Sequence, residues 1–363
     1  MLAISRRLML AGSLAAAFAR PALAKAKAVA VWKKLPTVPY KGKQDDISFV
    51  NALTGWYGNG EGKLYGTTDG GESWSKVWDQ PGTFIRALGF VDEKTGYLGN
   101  VGTDYYPGVT DKNPLYKTSD GGVTWQALTA PGIEAVNGIC GIDILPVKRI
   151  YQGELQASHI VTAAGRVGGN AMMLRSEDDG ATWKVIDLTA HAGMILDVKF
   201  HSPKTGFVCA SGVSETGEGD ALILMTSDGG ASWTPVWRSN RKLENCWKMN
   251  WPSRKVGYAT VQSYDEAGGN KRSFVKTVDG GRTWKEYPLV DEAGIREFGV
   301  GFVDAKRGWI GTTKGGFETQ DGGKSWSRIE FGKAVNKIRI IPKPDGGKAV
   351  FAIGVDVHRL DLA

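Results

Sequence analysis

The 363-residue sequence is poor in cysteine and histidine, and it has no long apolar run after its first two dozen residues. The three cysteines, Cys140, Cys209 and Cys246, show no metal-ligand spacing. Each sits in an apolar, strand-like run, so three buried free thiols are expected, with one disulfide and a leftover as the alternative. The four histidines, His159, His191, His201 and His358, form no H-E-x-x-H or Cys-His pattern, so neither a metal nor a cofactor is expected. No nucleophile elbow is present, which argues against a Ser-His-Asp hydrolase. Charge of one sign is also scarce: the formal net charge of +7 is dispersed. A nucleic-acid partner, which needs a clustered basic face, is therefore not expected.

Residues 1–24 read as a secretory signal. Ser5-Arg6-Arg7-Leu8-Met9-Leu10 resembles a twin-arginine export motif, and the apolar run from Leu8 to Ala19 is too short to span a bilayer. Arg20-Pro21-Ala22-Leu23-Ala24 ends in a small-x-small cleavage pattern. Cleavage there would leave no stable membrane span, place the chain in the periplasm or outside the cell, and lower the net charge to +4 by removing Arg6, Arg7 and Arg20.

What the chain has in abundance is glycine, 50 residues, and tryptophan, 13. Both belong to a repeat. Thr226-Ser227-Asp228-Gly229-Gly230-Ala231-Ser232-Trp233 has close copies whose third residues are Asp69, Asp120, Asp178, Asp228, Asp279 and Asp321. Their spacings of 51, 58, 50, 51 and 42 residues each suit a four-stranded unit. In the third copy Asp179 replaces a glycine.

A second repeat precedes each copy, an apolar strand, a turn, then Gly with an aromatic residue. Leu88-Gly89-Phe90-Val91 leading to Gly96-Tyr97 is one example, and Ile142-Asp143-Ile144 leading to Ile150-Tyr151 is a degenerate one without the glycine. Residues 337–360 supply a seventh unit that lacks its last strand. The stretch Val29 to Pro36 resembles that missing strand. The expected fold is all-β, a single seven-bladed β-propeller over residues 25–363, its last blade closed by the N-terminal strand.

The repeated turns resemble Asp boxes, so the chain resembles BNR-type propellers, among them sialidases, some xyloglucanases and sortilin-like receptors. That resemblance implies peripheral structural turns, with the six aspartates outside any active site. It does not extend to sialidase chemistry, because no Arg-Ile-Pro occurs and the nearest stretch, Phe84-Ile85-Arg86-Ala87, lies inside a blade. The paired signals, such as Phe302-Val303-Asp304-Ala305-Lys306-Arg307-Gly308-Trp309 followed by Gly316 to Gly323, are most similar to the photosystem II stability/assembly factor family and its bacterial relatives. Membership there implies a scaffold without catalysis and names no client.

Two residue sets are candidates for binding. Asp46, Arg86, Asp197, Lys248, Arg296 and Glu297 precede the inner strands, either ringing the axial mouth or forming solvated strand ends. If they converge, the cations suit an anionic group and Asp197 or Glu297 an acid or base. The second set lies on long loops expected on the axial face at 100–114, 153–171, 211–220 and 262–272: Asp104, Tyr105, Tyr106, His159, Arg166, Glu215, Glu218, Tyr264, Asp265, Glu266 and Arg272. Aromatics beside mixed charge suit sugar stacking or protein docking. The expected function is an exported, monomeric, non-catalytic scaffold for a protein or envelope partner, with a glycan among the candidate ligands. The alternative is a glycan-active enzyme, a glycoside hydrolase with two carboxylates or a polysaccharide lyase.

Overall fold

The computed structural model of the protein describes residues 31–213, 218–265, 271–292 and 294–363; the signal sequence, Val29, Ala30, Glu215 and Glu266 lie outside them. Within the described residues the strands form seven four-stranded antiparallel sheets, and each of the first six takes its strands in chain order from the axis outward. Blade 1 is built from Gln44–Phe49, Gly55–Asn59, Lys63–Thr67 and Ser75–Asp79. Blade 7 takes Lys337–Pro342, Lys348–Ile353 and Val357–Leu362 from the end of the chain, and its fourth strand is Lys33–Lys34, paired as Lys33↔Arg359 and Lys34↔His358. The ring is closed by the N-terminal strand, as the sequence predicts.

The glycine of the second repeat has a steric cause. In blade 2 the Phe90 ring lies over Gly96, and a Cβ there would stand 2.5 Å from it; Phe302 crowds Gly308 in the same way. The inner-strand aromatic thus folds back over its own hairpin, and the residue after the glycine is free to cross to the next blade. Trp56 donates through Nε1 to the Gly121 carbonyl at 2.8 Å, and the Tyr97 hydroxyl donates to the Asp179 carbonyl at 2.9 Å.

The repeated turn closes the outer hairpin of each of the first six blades on itself. Asp228 accepts from the Thr226 hydroxyl at 2.8 Å, the Ser232 N–H at 3.0 Å and the Ser232 hydroxyl at 2.5 Å, while Gly230 N–H donates to Thr226 Oγ1 at 2.9 Å. These bonds favour the carboxylate form. Asp120 is held at about 2, first by the Thr124 hydroxyl and then by its N–H. Asp69, Asp228 and Asp321 lie well below the usual range, chiefly through the Ser73, Ser232 and Ser325 hydroxyls. A carboxyl whose folded pKa lies below its unfolded value stabilises fully above the unfolded value and loses that contribution as pH falls. Acid unfolding, followed by circular dichroism, is therefore expected to be steep as pH drops from about 4 towards 2, and Asp120→Asn should flatten it. An unchanged profile would contradict this role for the turn.

Blade 3 departs from the expected register. Its inner hairpin does not turn near residue 147 but continues as Gly141–Tyr151 and Glu154–Ala164, joined at Gln152 (φ 50°) and Gly153 (φ 86°). Two successive positive-φ residues are what a tight hairpin turn with matching twist requires. The third strand pairs only with Val161–Ala164, so the rest of the hairpin is a two-stranded arm. His159 therefore sits on this arm beside the repeated turn, and not on the axial-face loop where the sequence placed it; that loop is only 165–171. Asp179, the exception in the third repeat, fastens the arm: it accepts from the Ser158 hydroxyl and the His159 N–H, both at 2.7 Å.

Candidate functional site

The axial candidates are set by irregular pairing at the start of the inner strands. In blades 1, 2 and 4 the register slips at Asp45, Arg86 and Leu196, and in blades 5 and 6 at Trp247–Lys248 and Phe298–Gly299. A bulge re-aims a side chain that regular alternation would send elsewhere. Leu196, Trp247 and Phe298 meet Cys140, Val101, Phe84 and Tyr106 in one apolar cluster. Arg86 is 2% exposed, pairs with the buried Asp45 and lies 5.5 Å from the Trp247 ring centre.

Beyond this cluster the channel widens into a cavity of 270 Å³ bordered by Asp143, Asp197, Lys199, Lys248, Lys337 and Arg339. Its charges tie blade to blade. Asp46 meets Lys337 at 2.5 Å and Arg339 at 2.9 Å, and accepts from the Leu88 N–H at 2.8 Å. Asp143 and Asp197 accept from the Phe200 and Met249 N–H groups of the next blade at 2.8 and 3.0 Å. Lys248 reaches Asp197 at 3.5 Å and the carbonyls of Cys140 and Leu196. Burial pushes the Asp46 carboxyl up, but Arg339 and Lys337 outweigh it and hold it at about 2; burial pushes Lys337 down to about 7. Asp46, Arg86 and Lys248 are thus neither an open mouth nor solvated strand ends. Cys209 and Cys246 are buried free thiols, 3.0 Å apart between blades 4 and 5, and Cys140 is free and buried in the apolar cluster.

The loop candidates divide. Arg166 is 6% exposed and crosses between loops, donating to the Gly169 carbonyl at 2.6 Å and the Thr103 carbonyl at 2.8 Å. Tyr106 stacks on Phe84 at 4.5 Å, with the exposed Tyr105 edge-on to it. Arg296 covers the Tyr264 ring at 4.6 Å, and the Tyr264 hydroxyl donates to Gln262 at 2.5 Å. Asp104 sits at a left-handed turn, and Glu218 pairs with Lys242 at 3.7 Å.

Glu297, Arg272 and Asp265 face a different space, a groove of 1010 Å³ along blade 5 where it borders blade 6. One wall is the blade's outermost strand, Lys285–Asp291, and the floor includes Leu243, Val261 and Leu289. Arg241 cross-ties the acidic side, giving Nε to Glu244 at 2.8 Å and its fork to Glu286 at 2.6 and 3.1 Å. Ser273 continues the chain, its hydroxyl donating to Glu286 at 2.6 Å and its N–H to Glu297 at 3.1 Å. Among the described residues no His, Cys, Asp and Glu cluster fits a metal ion, and no helix is long and apolar enough to cross a membrane.

No family model matches the chain. It is 28% identical over 212 residues to xyloglucanase Xgh74A of Acetivibrio thermocellus, covering 50% of this chain and 23% of that protein. A xyloglucanase of a Paenibacillus species is 23% identical over 228 residues, 55% of this chain and 20% of that protein. The chain thus spans less than a quarter of either relative. Among solved structures, YCF48 bound to D1 peptide superposes with a TM-score of 0.60 at 17% identity, over 92% of this chain and 95% of that one. An ancestral GH74 enzyme gives 0.61 at 13% identity, over 91% and 45%. The chain shares their propeller fold.

In this propeller the sequence missed Glu244, Arg241 and Glu286. They occur singly, in an interblade loop and in strands of alternating polarity, and no spacing links them before the blade is folded. Asp45, Lys337 and Arg339 were missed for the same reason. The arm had a signal: an aspartate in place of glycine and the widest spacing between repeated turns, 58 residues.

Proposed function

We propose that the protein is an exported, non-catalytic propeller that binds an extended segment of a protein or envelope partner in the groove of blade 5. The observation that carries this reading is the groove's outer wall, six consecutive residues of an edge strand, Glu286 to Asp291. An edge strand offers unpaired backbone donors and acceptors, and pockets beside it select alternate side chains of a chain laid along it. The floor of Leu243, Val261 and Leu289 supplies apolar contact between charged rims. A propeller of the same fold has been solved with a peptide bound, which supports a peptide as occupant. Residues 1–24 act in export and 25–363 form the mature domain, monomeric and without a cofactor. The six turn aspartates fasten the blades, since their oxygens are taken up by their own turns.

A second reading, a glycoside hydrolase, is favoured by one observation. Glu244 and Glu297 line one groove, and burial pushes the Glu297 carboxyl up to about 8, as a general acid needs. The xyloglucanase relatives point the same way.

The peptide reading is tested by selecting binders from a random peptide library and mapping them by hydrogen exchange. Protection is expected along Lys285–Asp291. Failure to select any binder, or protection confined to the loops around Tyr105 and Tyr264, would overturn it.

A further inference from the structure

We propose that the inner end of this groove is a receptor for one positively charged side chain, an arginine guanidinium or lysine ammonium of the bound segment, held between Glu244 and Glu297. The inference rests on the peptide reading and adds the chemistry of its anchor. Glu244 is 7% exposed and Glu297 fully buried. Each has one oxygen engaged, Glu244 Oε1 by Arg241 and Glu297 Oε1 by the Ser273 N–H, and in each the second oxygen, Oε2, is buried without a partner. Native proteins leave few buried acceptors unpaired, because the desolvation cost is not recovered. Both residues line the groove from adjacent blades, and once both carboxyls are ionised their second oxygens lack donors.

The missing group is a cation with several donors. Ionised, the two carboxylates accept only and repel each other, and the charge of Glu244 adds to the burial that keeps a proton on Glu297 in the empty site. A guanidinium brings five N–H donors and no acceptor, and an ammonium three. A sugar hydroxyl brings one donor and no charge, so it cannot hold both carboxyls in their ionised form or satisfy both oxygens. Arg241 does not fill the role, because its Nε and its fork are committed to Glu244 and Glu286.

The groups facing Glu297 are Arg272 and Ser273 on the third strand of blade 5 and Glu244 on its inner strand, with Arg241 and Glu286 linked behind them. Burial is the largest influence, and the residue's own backbone N–H, Arg272 and the Ser273 N–H only partly oppose it, which leaves the carboxyl at about 8. At neutral pH the empty site thus holds a proton on Glu297, and an entering cation displaces that proton to solvent. Affinity therefore rises with pH through about 8 and levels off above it.

The test is calorimetric titration of the intact protein with N-acetyl-arginine methylamide and with its uncharged citrulline counterpart. The arginine compound is expected to bind saturably, to release a proton at neutral pH and to weaken about tenfold or more in Glu297→Gln. Gln is isosteric with the protonated acid, so this variant keeps the fold, and Glu244→Gln provides an independent second case. Equal binding of the two compounds, or undiminished binding in both variants, would overturn the proposal. If the arginine compound binds but no library peptide does, the peptide reading fails and the cation site stands. Library binders that tolerate Arg→citrulline would instead overturn the cation site and leave the peptide reading standing.

Discussion

Removal of residues 31–36 is expected to destabilise the whole ring, lowering the melting temperature by about 6 °C, the equivalent of about 4 kcal/mol for a domain of this size. The segment forms only two strand pairs, yet it touches three blades. Leu35 is 1% exposed in a cluster with Ile47, Phe49 and Tyr57 of blade 1 and Phe351 and Val357 of blade 7. Its N–H donates to the Val357 carbonyl at 2.8 Å. Trp32 packs edge-on against Trp309 at 5.6 Å and against Phe331 at 4.9 Å, both in blade 6. Losing a buried leucine costs about 2–5 kcal/mol, and the deletion also exposes the edge of Val357–Leu362. Calorimetry on the truncated chain and on Leu35→Asp checks this. A melting temperature unchanged in both would mean that the inner-strand contacts between blades 1 and 7 close the ring unaided.

Asp46→Ala should be as damaging for a different reason. The substitution strands Lys337 and Arg339 beside the axial channel and frees the Leu88 N–H, and breaking a buried ion pair from one side costs about 3–5 kcal/mol. The double variant Asp46→Ala, Lys337→Met is expected to recover part of the loss, because it removes the uncompensated charge. Chemical denaturation of the four species measures the coupling. Additive losses would contradict a direct partnership. The sign with pH follows from the two shifts. Asp46 contributes above the normal carboxyl range and loses that contribution as pH falls towards 2, while Lys337, titrating near 7 when folded, makes stability rise with pH from 7 to its unfolded value.

The architecture was legible because most blades repeat two local solutions: a glycine that lets an aromatic ring fold over it, and an aspartate that closes a turn. Such features declare themselves in neighbouring residues. Blade 3 escaped at one end because its inner hairpin has neither the aromatic nor the glycine, so nothing in the pattern says where the strand stops. The axial charges were visible as residues but not as partners. Arg86 reads as an anion ligand at a strand start, whereas a bulge turns it into a buried partner of Asp45. Arg86→Ala is therefore a test of folding and says little about function. Glu297 was visible as an acid, but its environment depends on Glu244, Arg272 and Ser273, which reach it only through the packing of two blades.

The groove of blade 5 is held to bind and not to catalyse. Release of reducing ends from xyloglucan by the purified protein tests this most directly, with Glu297→Gln and Glu244→Gln measured beside the wild type and Asp228→Ala as a control distant from the groove. No release above background is expected in any of the four. Turnover by the wild type that survives in Asp228→Ala and disappears in both groove variants would contradict a binding role and establish the hydrolase reading.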